Sequence, residues 1–192
     1  MKSDTVRQAV EHVLQEVAGT DTKSIVRAKA IELLGTYGNK AFSNLFVANL
    51  DDSSYSVAGA ALVALATLDS TAALAEAKKD MTIPTKAKLA AAVAGVLMDF
   101  GSEDEFDFIA SKYASQRLVL PDKLISSIHF VRYLARVHQT ERLKRGVDLI
   151  VRFRDIIPPL ARRINPELTK LAAQKDSEGL KEQAEYIRRY LS

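Results

Sequence analysis

Three stretches of this chain can be laid over one another: VRAKAIELLGTYG at 26–38, VAGAALVALATLD at 57–69 and LAAAVAGVLMDFG at 89–101. The offsets are 31 and 32 residues, and the match holds position by position. Val26, Val57 and Leu89 align, as do Ala30, Ala61 and Val93; Ile31, Leu62 and Ala94; and Leu34, Leu65 and Leu97. The middle copy runs from Val57 to Leu68 without a charge. That is too short for a membrane-spanning helix, which takes roughly 18 or more apolar residues. It is built from Ala and Leu rather than β-branched and aromatic residues, so it predicts a helix packed on most of its faces. A more polar helical stretch follows each copy: NKAFSNLFVANL, STAALAEAKKD and SEDEFDFIASKYA. One Ala-rich inner helix and one polar partner per repeat is the signature of a helical solenoid, in which no repeat buries its apolar face alone. Ala58, Gly59 and Ala60 are expected to let neighbouring helices approach closely, offsetting the roughly 1 kcal/mol of helix propensity that Gly59 loses against Ala.

Everything else also reads as helix. There is no sustained period-two alternation and no Asn-Gly or Asp-Gly hairpin turn. Start signals fall at Asp21 or Thr22, at Ser53, at Ser102 with Glu105 as a capping box, at Thr140, and at Asn165 with Pro166 as first helical residue. Stop signals fall at Gly19, Gly38, Gly101 and Gly179. The expectation is an all-α chain of about nine to eleven helices forming one helical-repeat domain over 1–192. Regular repeats occupy about 4–115 and Arg-rich, less regular helices about 120–192. In the second part Leu124, Ile128, Val131 and Ala135 predict the buried face of one helix, and Leu143, Val147, Ile150 and Ile157 that of the next. Pro158 and Pro159 then break the chain.

Charge divides the sequence unevenly. Residues 1–115 hold 11 Lys/Arg against 15 Asp/Glu, and residues 116–192 hold 16 against 9, with eleven arginines between Arg117 and Arg189. Arginine suits bidentate capture of carboxylate or phosphate. Arg132, Arg136, Arg142, Arg145, Arg152 and Arg154 are therefore the candidate partner-binding basic face. The readings are a solvated face, a face for an acidic protein surface and, least favoured, a nucleic-acid face, since few aromatics accompany the arginines.

Catalytic signatures are missing. With no Cys there are no disulfides, zinc-thiolate sites or cysteine nucleophiles. His12, His129 and His138 lack the i, i+4 spacing of a helical zinc peptidase site. There is no nucleophile elbow, P-loop or dinucleotide fingerprint. GTYG at 35–38 reads as a helix C-cap. The group Glu103, Asp104, Glu105 and Asp107 reads as first-turn carboxylates on a helix dipole, not a calcium loop. The start MKSDTVRQAV has no apolar core of a signal peptide, no membrane partner is expected, and the lack of Cys leaves the compartment undecided.

The stretch DDSSYSVAGAALVALATLD looks like a HEAT-type repeat. Its order with VRAKAIELLGTYGN, SEDEFDFIASKYA and GVDLIVRFRDIIP resembles the C-terminal helical domain of bacterial aminopeptidase N-like zinc metallopeptidases, from about residue 5 to 190. The resemblance implies a HEAT/armadillo-like α-α superhelix that caps a catalytic domain and limits which peptides enter. In that family the H-E-x-x-H zinc site and the glycine-rich exopeptidase motif lie upstream, so no catalytic residue, zinc ligand or cofactor carries over to this chain. The implied partner is the catalytic domain of the same polypeptide or another protein. A family member would not begin at Met1, so the chain is expected to be either an excised domain or a free-standing relative. The alternative is a free-standing HEAT-like adaptor that binds protein along a concave face.

Overall fold

Helix is the regular structure of this chain throughout the residues described by its computed structural model, 2–81, 87–115 and 119–191. Eleven α-helices and three short 3-10 turns, with no strand, lie among those residues. They are α1 (Lys2–Thr20), α2 (Ser24–Tyr37), α3 (Ser43–Ala48), α4 (Tyr55–Leu68), α5 (Ser70–Asp80), α6 (Ala87–Phe100), α7 (Phe106–Ser115), α8 (Leu120–Leu134), α9 (Thr140–Ile156), α10 (Ala161–Ser177) and α11 (Lys181–Arg188). The chain forms two compact units, Met1–Val96 and Leu97–Ser192. Arg117 of the sequence reading lies outside the described residues.

In the first unit α1 packs on α2, α2 on α4, and both α3 and α5 against α4. The uncharged run is a helix buried along most of its length, from Val57 through Leu62 and again at Ala64 and Leu65. The aligned positions share one environment: Ala30, Ala61 and Val93 are buried, as are Ile31, Leu62 and Ala94, and Leu34, Leu65 and Leu97. Small residues set the spacing. A Cβ on Gly35 would stand 2.9 Å from the Cβ of Ala64, and one on Gly59 would stand 3.1 Å from the carbonyl oxygen of Lys88. Asp21 and Asp52, also 31 residues apart, play matching parts ahead of α2 and α4, accepting the backbone N–H of Lys23 and Ser54 at 2.7 Å. Neither is the residue next to its helix: the start signal at Asp21 acts two residues before the cap Lys23, and ahead of α4 that part falls to Asp52 rather than the expected Ser53. Gly38, with φ of 62°, ends α2 in the left-handed conformation, whereas α1 runs past Gly19 to Thr20.

The second unit is packed differently. Phe130 of α8 lies at its centre, with ring centroids 4.7 Å from Tyr113, 6.2 Å from Tyr133 and 6.5 Å from Phe106. Around it α8 packs on α9 and α10, and α9 on α7 and α11. The expected capping box forms: Ser102 donates its N–H to Glu105 at 2.6 Å, and its hydroxyl accepts from Asp104.

Two expectations are corrected. The buried residues of α8 are Lys123, Ser127, Phe130, Val131, Tyr133 and Leu134, a face rotated from the predicted one: Val131 is buried as expected, but Leu124, Ile128 and Ala135 are only half-buried. The aromatic cluster and the Lys123 ammonium set that rotation. Pro166 does not open a helix: the 3-10 turn Pro158–Leu160 feeds straight into α10, which starts at Ala161 and contains Pro166. The N–H that Pro166 lacks would have bonded the carbonyl of Arg162, an exposed first-turn residue that water can satisfy.

No described helix is long and apolar enough to cross a membrane.

Candidate functional site

The six arginines of the predicted basic face do not form one face. Arg132 is exposed on α8 and donates to Glu167 of α10 at 3.1 Å, beside a shallow 310 Å³ groove floored by Val131, Ala135 and Leu171. Arg136, at the end of the same helix, turns inward, donating to the carbonyl of Gly101 at 2.9 Å and to that of Met98, with its guanidinium 5.3 Å from the centre of the Tyr133 ring. Arg142 donates to the Glu103 carbonyl at 3.3 Å and shares Asp107 with Arg145, at 3.4 and 2.7 Å. Arg154 is buried and holds Asp155 at 2.7 Å, Asn165 at 3.0 Å and the carbonyl of Tyr190 at 2.7 Å. Arg152 is exposed and makes no hydrogen bond or ion pair among the described residues.

A rule accounts for most of these contacts. The last carbonyls of an α-helix have no partner within it and carry the negative end of its dipole, so a cation from another element is a favourable cap. Arg136 caps α6 in this way, and Arg154 caps the end that follows α11. Lys175 of α10 caps α8, its ammonium donating to the carbonyls of Ala135 at 2.7 Å and Val137 at 2.9 Å. Lys123 caps α7 through the carbonyl of Tyr113, with its ammonium 3.5 Å from the centre of that tyrosine's ring. In the first unit Arg27 reaches the carbonyl of Asp21 at 3.0 Å and Arg7 that of Tyr37 at 2.9 Å. The converse device closes the start of α9, where the Glu103 carboxylate accepts the N–H groups of His138 at 3.0 Å and Gln139 at 2.8 Å.

Sequence reasoning missed Lys123 and Lys175. The signal was their place in apolar stripes, Lys123 with Phe130 and Lys175 with Leu168, Leu171 and Ala172, where a surface lysine would not sit. Burial pushes the Lys123 ammonium down to about 8. It pushes Lys175 down too, against the pull of Glu178 at 3.4 Å.

Two of the six arginines line a 390 Å³ groove formed by Glu141, Lys144, Arg145, Asp148 and Arg152 of α9 and by Tyr186 of α11. Asp148 organises its floor, one carboxylate oxygen accepting the hydroxyls of Tyr186 at 2.7 Å and Tyr190 at 2.8 Å. Burial, followed by the Asp148 hydrogen bond, raises the Tyr186 hydroxyl well above its usual range, so it stays a donor. Lys144 is held by Glu141 at 3.1 Å and Glu182 at 2.9 Å. The groove can thus receive a carboxylate on Arg152, and on Arg145 in exchange for Asp107. Of the predicted six, it gathers Arg145 and Arg152, with Arg142 joined through Asp107.

The remaining candidates have ordinary partners. His129 is hydrogen-bonded to Asp99 at 2.5 Å, and that carboxylate raises its pKa. No group of three His, Asp or Glu able to hold a metal ion exists among the described residues. No protein-family model, curated protein or solved structure matches this chain.

Proposed function

We propose that this chain is a non-catalytic helical-repeat domain that caps the catalytic domain of an aminopeptidase N-like zinc metallopeptidase and limits the peptides that reach it. In this reading α2 with α3, α4 with α5, and α6 with α7 are HEAT-like helix pairs. The observation that carries it is the repeat itself: residues at offsets of 31 and 32 occupy equally buried positions on inner helices spaced by glycine and alanine. The order of motifs that resembles the peptidase family supplies the partner. The α9 groove, with Arg145 and Arg152, is the surface this reading offers to acidic residues of that partner. A nucleic-acid reading has less support, because Tyr186 is the one aromatic among the residues lining that groove, which gives bases little to stack on.

Immunodepletion tests the proposal. An antibody raised against this chain should remove hydrolysis of an amino-acid amide from source-cell lysate, together with a band several times larger than 21.1 kDa. Activity left whole, with a band at the size of the chain alone, would move the assignment to a free-standing HEAT-like adaptor.

A further inference from the structure

The helices of the second unit end in two unlike ways. Where α8 passes into α9, at residues 135–140, side chains from other elements take up the backbone. Lys175 holds the carbonyls of Ala135 and Val137, Glu103 the N–H groups of His138 and Gln139, and Gln183 the carbonyl of His138 at 2.6 Å. The other end gathers the start of α8, the close of α9 and the start of α10. There the Lys123 ammonium lies 5.9 Å from the centre of the Phe153 ring, and Arg154 ties Asn165 and the Tyr190 carbonyl to α9. Every exposed large hydrophobic residue described from α8 to α11 belongs to this second end. Val119, just ahead of α8, is 67% exposed, Leu120 and Ile125 lie in its first two turns, and Ile156, the last residue of α9, is 74% exposed.

The unclaimed arginines are here as well. Arg152, one turn before Ile156 on the same face of α9, and Arg162 and Arg163, in the first turn of α10, are exposed. None of the three makes a hydrogen bond or ion pair among the described residues, whereas every other described arginine of this unit has a partner. Little acid offsets them: residues 119–123 and 152–163 hold five Lys/Arg against two Asp/Glu, and one of those acids, Asp155, is already bound by Arg154. We infer that this end rests on an anionic lipid surface, with Val119, Leu120 and Ile156 entering the headgroup boundary and Arg152, Arg162 and Arg163 meeting phosphates. No described helix is long and apolar enough to span a bilayer, but contact with its surface needs no span. Size favours lipid over a protein partner. A stable protein interface takes roughly 20–30 residues a side, matched in shape. This end offers a few side chains scattered over three helix ends, which mobile headgroups can meet wherever they stand. The inference goes beyond the proposed function and does not depend on it.

Cosedimentation of the full chain with lipid vesicles tests it. The expected result is binding to phosphatidylserine and phosphatidylcholine mixed at about 1:3, none to phosphatidylcholine alone, and loss of binding as salt rises from about 0.05 to 0.5 M. Arg152→Gln, Arg162→Gln and Arg163→Gln should each weaken binding about fivefold, and Ile156→Asp about tenfold or more. Val63→Asp, at an exposed valine of α4, should leave it unchanged. No binding to the charged vesicles, equal binding to the neutral ones, or binding indifferent to Ile156→Asp would each overturn the inference. Retention of a poly-glutamate peptide without retention on vesicles would overturn it too, and would give this end to an acidic protein. All the substituted side chains are exposed, and circular dichroism unchanged from the parent confirms that each variant is folded.

Discussion

The two units lean on different ways of joining their helices, although Arg7 and Arg27 make carbonyl tethers in the first as well. In the first, α2 and α4 meet through glycine and alanine, and the backbones themselves come close. In the second, helices stand around bulky rings and are tied by long cationic side chains that reach from one helix to the carbonyl end of another. Close packing of small residues gains dispersion over a continuous surface and tolerates no added volume. Tethering gains a few strong, directional bonds and depends on each of them. The first arrangement is legible as a pattern of residue size, the second only once distant residues have been brought together.

Breaking one tether should cost most. Lys175→Ala removes a fully buried side chain and strands the carbonyls of Ala135 and Val137, and we expect about 3–5 kcal/mol of lost stability in urea denaturation. Lys175→Met, which restores the volume but not the donors, should recover only part of it. An equal loss in the two variants would mean that the stranded carbonyls, not packing, set the cost at this site.

Adding volume to the close-packed unit comes next. Gly35→Ala places a methyl 2.9 Å from the Ala64 Cβ and 3.1 Å from its Cα, where neither can move aside, so we expect a loss of about 1–3 kcal/mol. Gly146→Ala in the second unit meets the methyl groups of Leu134, the closest at 2.5 Å, at the far end of a side chain that can change rotamer. Helix propensity returns up to about 1 kcal/mol there, so the net effect should be smaller. Thermal melts of the two variants side by side check the contrast.

The smallest effect is a pH dependence. The folded-state pKa of Lys123, about 8, lies below the roughly 10.4 of an unfolded lysine. Between those values the unfolded chain binds more protons, so this group makes stability rise as pH rises from 8 to 10. Above pH 10 the sign turns, because burial pushes the Tyr113 hydroxyl up to about 12 and the folded chain keeps a proton that the unfolded one releases. The rise between pH 8 and 10 should shrink in Lys123→Met, the remainder coming from Lys175, which burial also pushes down. A slope equal to the parent's would mean that Lys123 titrates normally.

Much of the local structure could be read from the chain. The aligned small and aliphatic positions of the inner helices, the glycine that ends α2 and the Ser102–Glu105 box all follow from local spacing and short-range hydrogen bonding. The arginines could not be read this way. Arg136 finds its carbonyls 35 and 38 residues away, and Arg154 finds Tyr190 at 36. No local pattern distinguishes a cation that will cap a distant helix from one that will face water. Even the charge asymmetry depends on where the chain is divided. Leu97–Ser192 holds 17 Lys/Arg against 14 Asp/Glu, because the acidic group near Glu103 belongs with the arginines it neutralises, and Met1–Val96 holds 10 of each. Pro166 misled for a related reason, since the turn that starts α10 comes from the prolines before it.

The bond from Arg154 to Tyr190 also has a mechanical meaning. Chain ends usually fray first, one turn at a time, because each turn is held only by its own ladder. Here the residues after α11 are fastened to the last turn of a 17-residue helix by the buried Arg154 guanidinium, and the Tyr186 and Tyr190 hydroxyls grip Asp148 near the middle of that helix as well. A pull on the C-terminus is therefore carried into α9 before α11 can unwind, and the tail behaves as a strap under load.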